Sequence, residues 1–260
     1  MTYGTLKIEQ QNQIATITLT RPEKRNAISS QMIQELLLAL DEAERSPTRV
    51  VIITGSGKAF CAGMDLDGLK AIASQSFEQN LADSRAMGQM FCRIYEFSKP
   101  VISAVNGAAI AGGCGIATLA DFTLAVSEAR FGYSEVKIGF IPALVSVFLR
   151  HQIAEKHAND LLLTGRIIDS AEALRIGLIT EVVPAEKLFA RAHEIAAQLI
   201  AASPTSILRT KRLLRRFSEA EIRAEIDLAT RENAEIRATA DFREGVASFL
   251  EKRDPKWTGR

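Results

Sequence analysis

Residues 101–117 have the sequence VISAVNGAAIAGGCGIA, which predicts a buried strand, a turn and the start of a buried helix. The first five residues are apolar and rich in β-branched side chains, as strands buried on both faces of a parallel sheet are. Asn106-Gly107 is a turn pair. Glycines at 112, 113 and 115 fall where the helix would begin. A helix N-terminus carries backbone N–H groups without intrahelical partners, and glycine lets a ligand approach them closely.

A second segment of the same kind precedes it. The β-branched run VVIIT at 50–54 is followed by GSGKAFCAGMDLDG at 55–68. The two loops at 55–68 and 107–115 together hold eight of the 16 glycines. Backbone N–H groups from two such loops, aimed at one point, form an oxyanion site. Tight packing and ordinary turns would explain either loop taken alone.

The rest of the chain alternates predicted strands with predicted helices, which favours the α/β class. Strands are predicted at 5–9, 13–19, 122–126 and 178–183, and helices from Ser29 or Ser30 to 41–45, at 77–97 and over most of the chain after Pro142. Ser203-Pro204 is an N-cap followed by proline at the first helical position. Ser218 with Glu221 predicts a capping box for a further helix.

Composition excludes several classes of protein. The chain has 260 residues, of which 47% are hydrophobic, and 32 basic residues balance 31 acidic ones. A net charge of +1 gives no general case for binding nucleic acid or an anionic membrane. Three cysteines at wide spacing, Cys61, Cys92 and Cys114, form no disulfide framework. Residues 1–13 show no targeting signal, so we expect a reducing, cytoplasmic location.

Common cofactor and metal motifs are missing from the sequence. The pattern GxGxxG fails because Thr118 stands where the third glycine would be, and GxxxxGK[ST] does not occur. The three histidines are scattered over helical stretches, which predicts no metal site; they are His151, His157 and His193. A third unusual segment, FGYSEVKIGFIP at 131–142, places Glu135 about twenty residues after the second glycine loop.

These segments, taken in order, resemble the crotonase superfamily, the enoyl-CoA hydratase/isomerase family. The matching stretches are LTRPEKRNAI at 19–28, AFCAGMDL at 59–66, VNGAAIAGGC at 105–114, LTGRIIDSAEA at 163–173, GLITEV at 177–182, EG at 244–245 and FLEKR at 249–253. The resemblance implies an α/β spiral of ββα units over 1–200, which holds the acyl-CoA site. It also implies a C-terminal helical region over 201–260 that builds homotrimers or hexamers.

The resemblance also implies which residues form the site. The backbone N–H groups of Met64 and Gly112 would polarise a thioester carbonyl. Coenzyme A is part of the substrate, so no separate cofactor is expected. The positions that match CoA contacts in relatives are Lys24 or Arg25, Lys58, Ala59, Ala62 and Lys252. For each of these cations alone, a solvated surface position is the simpler interpretation.

Glu135 matches the second of the family's two glutamates, whereas Gly115 stands where the first would be. Two carboxylates can hold and activate a water, but one is enough to move a proton between C2 and C4 of an enoyl thioester. The segment SEVKIGFIPA at 134–143 is similar to that of a hydratase subgroup, assigned to methylglutaconyl-CoA or short-chain enoyl-CoA, that also lacks the first glutamate. Hydration of a short or branched 2-enoyl-CoA is therefore the leading hypothesis. A Δ-isomerase and a catalytically impaired CoA-binding protein are the alternatives.

A fourth hypothesis is RNA binding by the basic run RTKRLLRR at 209–216. The run has no interleaved aromatic residues and is followed by an acidic segment, so an amphipathic helix explains it better. Residues 201–260 contain 13 basic and 10 acidic residues, which indicates a highly charged helical region. We expect neither nucleic acid nor membrane as a partner.

Overall fold

The structure is a computed structural model that describes residues 2–260, with Leu66 described by its backbone alone. The strands are β1 Leu6–Gln11, β2 Ile14–Leu19, β3 Val50–Gly55, β4 Ala59–Cys61, β5 Val101–Val105, β6 Ala108–Ile110, β7 Phe122–Val126, β8 Arg130–Gly132, β9 Ile167–Asp169 and β10 Glu181–Val183. The helices are α1 Ser30–Arg45, α2 Leu66–Ile72, α3 Phe77–Tyr95, α4 Gly112–Thr118, α5 Ala143–Leu149, α6 Glu155–Thr164, α7 Ser170–Arg175, α8 Leu188–Ala201, α9 Pro204–Arg216, α10 Glu219–Glu235 and α11 Ala240–Glu251. Short 3₁₀ turns cover Pro22–Lys24, Glu135–Ile138, Ala185–Lys187 and Ile236–Ala238.

Two sheets form the scaffold. The larger has the order β1-β2-β3-β5-β7-β10, and all its pairs are parallel except β1 with β2. The smaller has the order β4-β6-β8-β9, with only β9 antiparallel. Three strands of the larger sheet, β3, β5 and β7, are each followed by a short strand of the smaller sheet and then by a helix. This repeated ββα unit confirms the predicted α/β spiral.

The core lies between the larger sheet and the helices that cover it. Strand β3 is buried along its whole length, as its uninterrupted β-branched sequence predicts. Helix α1 begins at Ser29, whose side chain accepts a hydrogen bond from the Met32 amide. Its inward residues Met32, Leu36 and Leu40 are each fully buried. Parallel strands therefore end on the same side of a rigid sheet, where the glycine loops begin.

Two local predictions differ from the structure. Strands β4, β6, β8 and β9 were not predicted, because three residues are too few to show an alternating pattern. The capping box at Ser218 is wrong: Ser218 has φ −119° and ψ 5°, and its side chain makes no capping hydrogen bond. Capping requires an extended N-cap residue, and Ser218 instead closes a turn with its amide on Arg215 O. The Ser203 cap with Pro204 is confirmed.

The basic run of helix α9 is only partly exposed. Lys211 is buried and its Nζ lies 2.5 Å from Asp121 Oδ2, while Arg215 Nη2 lies 2.8 Å from Asp121 Oδ1. Asp121 also accepts the Val101 amide, so it joins α9 to the start of β5. Two cations of the run therefore have a structural role. In the described part of the chain, no helix is long and apolar enough to cross a membrane.

Candidate active site

A cavity of about 530 Å³ opens where the two glycine loops meet helices α3, α5 and the α10 end. It is lined by Met64 and Asp65 of the first loop, by Ala111 and Gly112 of the second, and by Glu135. Apolar side chains such as Met87, Phe91, Leu144 and Val145 form most of the opposite wall. The structure thus brings the three predicted chemical groups to one cavity.

The first loop presents the Met64 amide by pairing its neighbours. Ile28 N donates to Gly63 O at 2.7 Å, and Asp65 N donates to Ile28 O at 2.9 Å, which makes a parallel bridge between Ile28 and Met64. In such a bridge the N–H of the central residue faces away from the partner strand. Within residues 2–260 the Met64 N–H has no protein acceptor. This donor is therefore available to a ligand.

The second loop presents the Gly112 amide at the start of α4. Ala111 has φ 53° and ψ −128°, a conformation that a residue with a side chain adopts only under strain. Its own amide is held by Gly132 O at 2.8 Å. Gly112 is the first helical residue, and its N–H has no acceptor in the described chain. The strain at Ala111 is therefore located next to the predicted oxyanion donor.

The two loops touch each other. A Cβ placed on Gly63, where φ is 87°, would lie 3.0 Å from the Ala111 Cβ. A Cβ on Gly113 would lie 2.2 Å from Cys61 O. Only glycine permits both the left-handed turn at 63 and the close approach at 113. The glycines thus hold the two unpaired amides side by side.

Glu135 is the buried carboxylate of the cavity. It begins a 3₁₀ turn directly after the segment that follows β8, and it is only 8% exposed. Burial raises the pKa of Glu135 to about 7, because the charged form loses its water, and a bond from its own amide offsets this only in part. Its Oε2 has no hydrogen-bond partner. A carboxyl group with this pKa can both accept and return a proton near neutral pH.

Gly115 leaves no room for a second carboxylate. A Cβ at this position would lie 2.7 Å from Val145 Cγ1 and 3.2 Å from Phe91 Cζ. The other acidic residues that line the cavity differ from Glu135: Glu23 is exposed at the rim, and Asp65 is paired with Arg21. The space of the family's first glutamate is therefore filled by apolar side chains.

The predicted CoA contacts divide into two groups. Lys24, Arg25 and Ala62 line the cavity, and the Ala62 amide donates to Arg25 O at 3.0 Å. The remaining three do not line it among the described residues; they are Lys58, which is exposed, Ala59, which is buried in β4, and Lys252, which is exposed at the end of α11. Contact with CoA by any of these residues stays a prediction.

An ion pair behind the first loop was not predicted. Arg21 Nη2 lies 2.5 Å from Asp65 Oδ2, with the two side chains 17% and 5% exposed, and Arg21 Nη1 donates to Ala27 O. Burial acts to raise the pKa of Asp65, but the hydrogen bonds from Arg21 and from the Asp67 amide hold it below its usual range. Asp65 also caps helix α2, because its side chain accepts a hydrogen bond from the Asp67 amide. The pair ties the residue after Met64 to the segment that contains Ile28.

A second ion pair contributes its buried arginine to the lining of the cavity. Arg237 has a side chain only 1% exposed, and its Nη1 lies 2.8 Å from Asp83 Oδ2. Nη2 donates to Asn233 Oδ1 at 2.8 Å. Burial lowers the pKa of Arg237, and Asp83 opposes this effect. The spacing of four between Asn233 and Arg237 is a sequence signal for their contact, since it brings the end of α10 and the following 3₁₀ turn onto one face.

The cysteines next to the site are buried. Burial raises the pKa of Cys61 and of Cys114 to about 12 each, so neither is a thiolate at neutral pH. In residues 2–260 no three His, Cys, Asp or Glu side chains gather as metal ligands would. The chemical groups that remain are two backbone amides and one carboxyl group. Such a site is suited to an enzyme that stabilises negative charge on a carbonyl oxygen and moves a proton.

Comparison with known proteins agrees with this description. The chain belongs to the enoyl-CoA hydratase/isomerase family, whose model matches residues 9–260. It is 41% identical to a putative enoyl-CoA hydratase of Thermus thermophilus, over 95% of this chain and 98% of that protein. It is 33% identical to a short-chain-enoyl-CoA hydratase of Clostridium acetobutylicum, over 95% and 94% of the two chains. A crystal structure of an enoyl-CoA hydratase/isomerase from Xanthobacter autotrophicus Py2 superimposes with a TM-score of 0.90 at 30% identity, covering 97% and 98%. The predicted family is confirmed.

Proposed function

We propose that the protein adds water to a 2-enoyl-CoA with a short or branched acyl group, with Glu135 as acid and base. The observation that carries the proposal is the buried Glu135 carboxyl group, whose pKa is raised to about 7 and whose Oε2 has no partner. It shares a cavity with the unpaired amides of Met64 and Gly112. The names of the two hydratase relatives support the same reaction.

The reaction balances with one carboxylate. Glu135 takes a proton from water and the water oxygen bonds to C3. The C2=C3 electron pair then forms a C1=C2 bond, and the carbonyl electron pair moves onto the thioester oxygen. The N–H groups of Met64 and Gly112 stabilise that oxyanion; one donor of this kind is worth about 3–4 kcal/mol in the transition state. When the thioester carbonyl re-forms, C2 takes the proton back from Glu135. The substrate supplies its own CoA, so the proposal needs no further cofactor.

The test is turnover of short 2-enoyl-CoA thioesters, followed as loss of the conjugated absorbance and by the mass of the product. Wild type should give a product heavier by one water. Glu135→Gln cannot accept the proton, so kcat should fall about a hundredfold or more. Glu128→Gln, a change of an exposed carboxylate, is the matched control and should retain full turnover. Equal turnover by wild type and Glu135→Gln would contradict the proposal.

A second candidate function is isomerisation of a 3-enoyl-CoA to the conjugated 2-enoyl-CoA. The tight space around Gly115 favours it, because one carboxylate can move a proton between C4 and C2 without binding a water. Mass distinguishes the two reactions, since an isomer keeps the mass of its substrate. A CoA-binding protein without activity would bind acyl-CoA and give neither product over a broad substrate panel.

We further propose that the protein assembles as a homotrimer or hexamer. Helix α9 and the residue that follows it expose four large apolar side chains: Leu208, Leu213, Leu214 and Phe217 are 39%, 54%, 58% and 75% exposed. Burial of such side chains against a second copy would be favourable. Light scattering during size exclusion should give three or six times the 28.4 kDa chain mass. A monomer across the micromolar range would contradict this proposal.

A further inference from the structure

The cavity has one polar recess in its otherwise apolar far wall. It is formed by Asn233 and Arg237, with Asn80 and Asp83 of helix α3 behind them. Arg237 is 3% exposed and Asn233 is 5% exposed. Nothing in the proposed hydration uses these side chains. A buried guanidinium in the wall of a substrate cavity costs free energy, so its presence calls for an explanation.

The hydrogen bonds of Arg237 leave some N–H groups of its guanidinium unpaired. Nη1 bonds to Asp83 Oδ2 at 2.8 Å and to Asn80 Oδ1 at 3.1 Å, while Nη2 uses one bond, to Asn233 Oδ1. A guanidinium has five N–H donors. Nε has no acceptor but also no accessible surface, so a ligand in the cavity does not reach it; the second Nη2 N–H has no acceptor in the described chain. Buried donors of this kind are rare unless water or a ligand completes them.

Asn233 adds a further donor. Its Oδ1 accepts from Arg237, and within residues 2–260 no protein acceptor bonds to its Nδ2. The Asn80 and Asp83 contacts fix the guanidinium from the side of α3, and the Arg237 Cζ lies 5.6 Å from the centre of the Phe140 ring. The recess is therefore a prearranged set of N–H donors, since its side chains are already held in place.

The distance between the recess and the oxyanion donors follows from the rise along helix α3. Phe91 lies beside Gly112, because a Cβ on Gly112 would be 3.6 Å from the Phe91 ring. Asp83, which binds Arg237, is eight residues earlier on the same helix, and Met87 lines the cavity between them. Eight residues rise about 12 Å along a helix. The recess thus lies about 12 Å along α3 from the predicted oxyanion donor at Gly112.

We infer that the recess binds a carboxylate at the far end of the acyl chain, so that the preferred substrate is a 2-enoyl-CoA derived from a dicarboxylic acid. A carboxylate has two oxygens that can accept from several N–H groups at once, which a methyl end cannot do. Asp83 balances the charge of Arg237, so discrimination rests on these hydrogen bonds. This inference rests on the proposed function and narrows its acyl group to one that reaches the recess.

The test separates binding from turnover. Saturated acyl-CoA thioesters cannot be hydrated, so their dissociation constants, measured by calorimetry, report on the recess alone. Chains matched in carbon number and ending in carboxylate or methyl are compared on wild type. Hydrogen bonds to a charged group predict that the carboxylated chain binds about tenfold or more tightly. Equal affinities, or tighter binding of the methyl chain, would overturn the inference.

Two variants test whether Arg237 is responsible for tighter binding of the carboxylated chain. Arg237→Met should lose most of the preference, whereas Arg243→Met, which removes an exposed arginine near the same turn, should keep it. A preference retained in Arg237→Met would overturn the role of this residue. If Arg237→Met fails to fold, the wild-type comparison still tests the carboxylate preference, and Asn233→Ala, which should weaken it, tests whether the recess is responsible.

Turnover of the matching 2-enoyl thioesters, measured in parallel, isolates the proposed function. If the carboxylated chain binds more tightly but neither chain is hydrated, the proposed reaction is contradicted and the carboxylate-binding recess is supported. If both chain types bind equally and are hydrated with equal kcat/KM, the proposed reaction is supported and the carboxylate-binding role of the recess is contradicted.

Discussion

The two walls of the cavity are built in different ways. One wall is backbone: the segments around Met64 and Gly112 offer amides, and glycines at 63 and 113 let them approach. The opposite wall is side chains, from Met87 and Phe91 of α3 to Arg237 at the far end. A backbone wall changes little when a side chain is replaced, whereas a side-chain wall changes with every substitution. The backbone wall is thus suited to stabilise the oxyanion, and the side-chain wall to determine which acyl group binds.

The largest expected effect comes from adding one methyl group to the backbone wall. In Gly113→Ala the new Cβ would lie 2.2 Å from Cys61 O and 2.7 Å from Cys61 C, so backbone must move. We expect a loss of about 3 kcal/mol or more in the free energy of unfolding, measured in urea, with loss of turnover. Gly68→Ala is the control, because its Cβ meets only the Met64 side chain at 3.6 Å or beyond. An unaffected Gly113→Ala protein would show that the two loops are not closely packed.

The next effect concerns the carboxyl group between the walls. Burial raises the pKa of Glu135 from its ordinary value of 4.5 to about 7 in the folded state, so the folded protein binds more protons than the unfolded chain between those values. Its free energy of unfolding should therefore fall as pH rises from 4.5 to 7, by at most about 3 kcal/mol. Glu135→Gln should lack this fall and be more stable than wild type at pH 8. If the free energy of unfolding of wild type and of Glu135→Gln changes with pH in the same way, the raised pKa is refuted. Glu128→Gln is the control and should follow wild type.

A smaller effect is expected from the ion pair behind the backbone wall. Asp65→Asn keeps a cap for α2 but leaves Arg21 largely buried without its carboxylate. We expect a loss of about 2 kcal/mol in the free energy of unfolding, together with a lower kcat at nearly unchanged KM if the pair positions the Met64 amide. Asp67→Asn is the control, because its pair with Lys24 is exposed and should be worth under about 1 kcal/mol. Equal stability of the two variants would show that the buried pair contributes nothing specific.

The smallest effect is expected where a side chain of the backbone wall is exchanged. Met64→Leu keeps the amide and nearly the same volume, so kcat should stay within about twofold of wild type. The matched change on the other wall, Met87→Ala, opens space beside the acyl path and should shift the preferred chain length. A large fall in kcat for Met64→Leu with unchanged stability would assign the role to the side chain instead.

The backbone wall could be predicted from the sequence, because its signal is local. Strand, turn and glycine follow one another within about twelve residues at each loop, and Glu135 lies in a recognisable segment. The larger sheet was predicted for the same reason, since β3 and β5 are continuous β-branched runs. Neither loop was sufficient alone, but their order in the chain and their distance from Glu135 together indicated the site.

The side-chain wall could not be predicted, because its residues meet across long sequence separations. Arg237 and Asp83 are 154 residues apart, and Arg21 and Asp65 are 44 apart. Whether a basic residue is buried depends on a partner that only the fold brings near, as Lys211 with Asp121 also shows. The Ser218 cap failed for a related reason: its motif was present, but the turn from α9 left the backbone in the wrong conformation.

The crowded space at Gly115 has a consequence for how the site can change by mutation. A glutamate there would meet Val145 and Phe91, so Gly115→Glu alone would bury a charged group against apolar atoms. A smaller residue at 145 would relieve the closer of the two contacts and would by itself leave a void. The two substitutions are therefore expected to be coupled, so that the pair costs less stability than the sum of the two single changes.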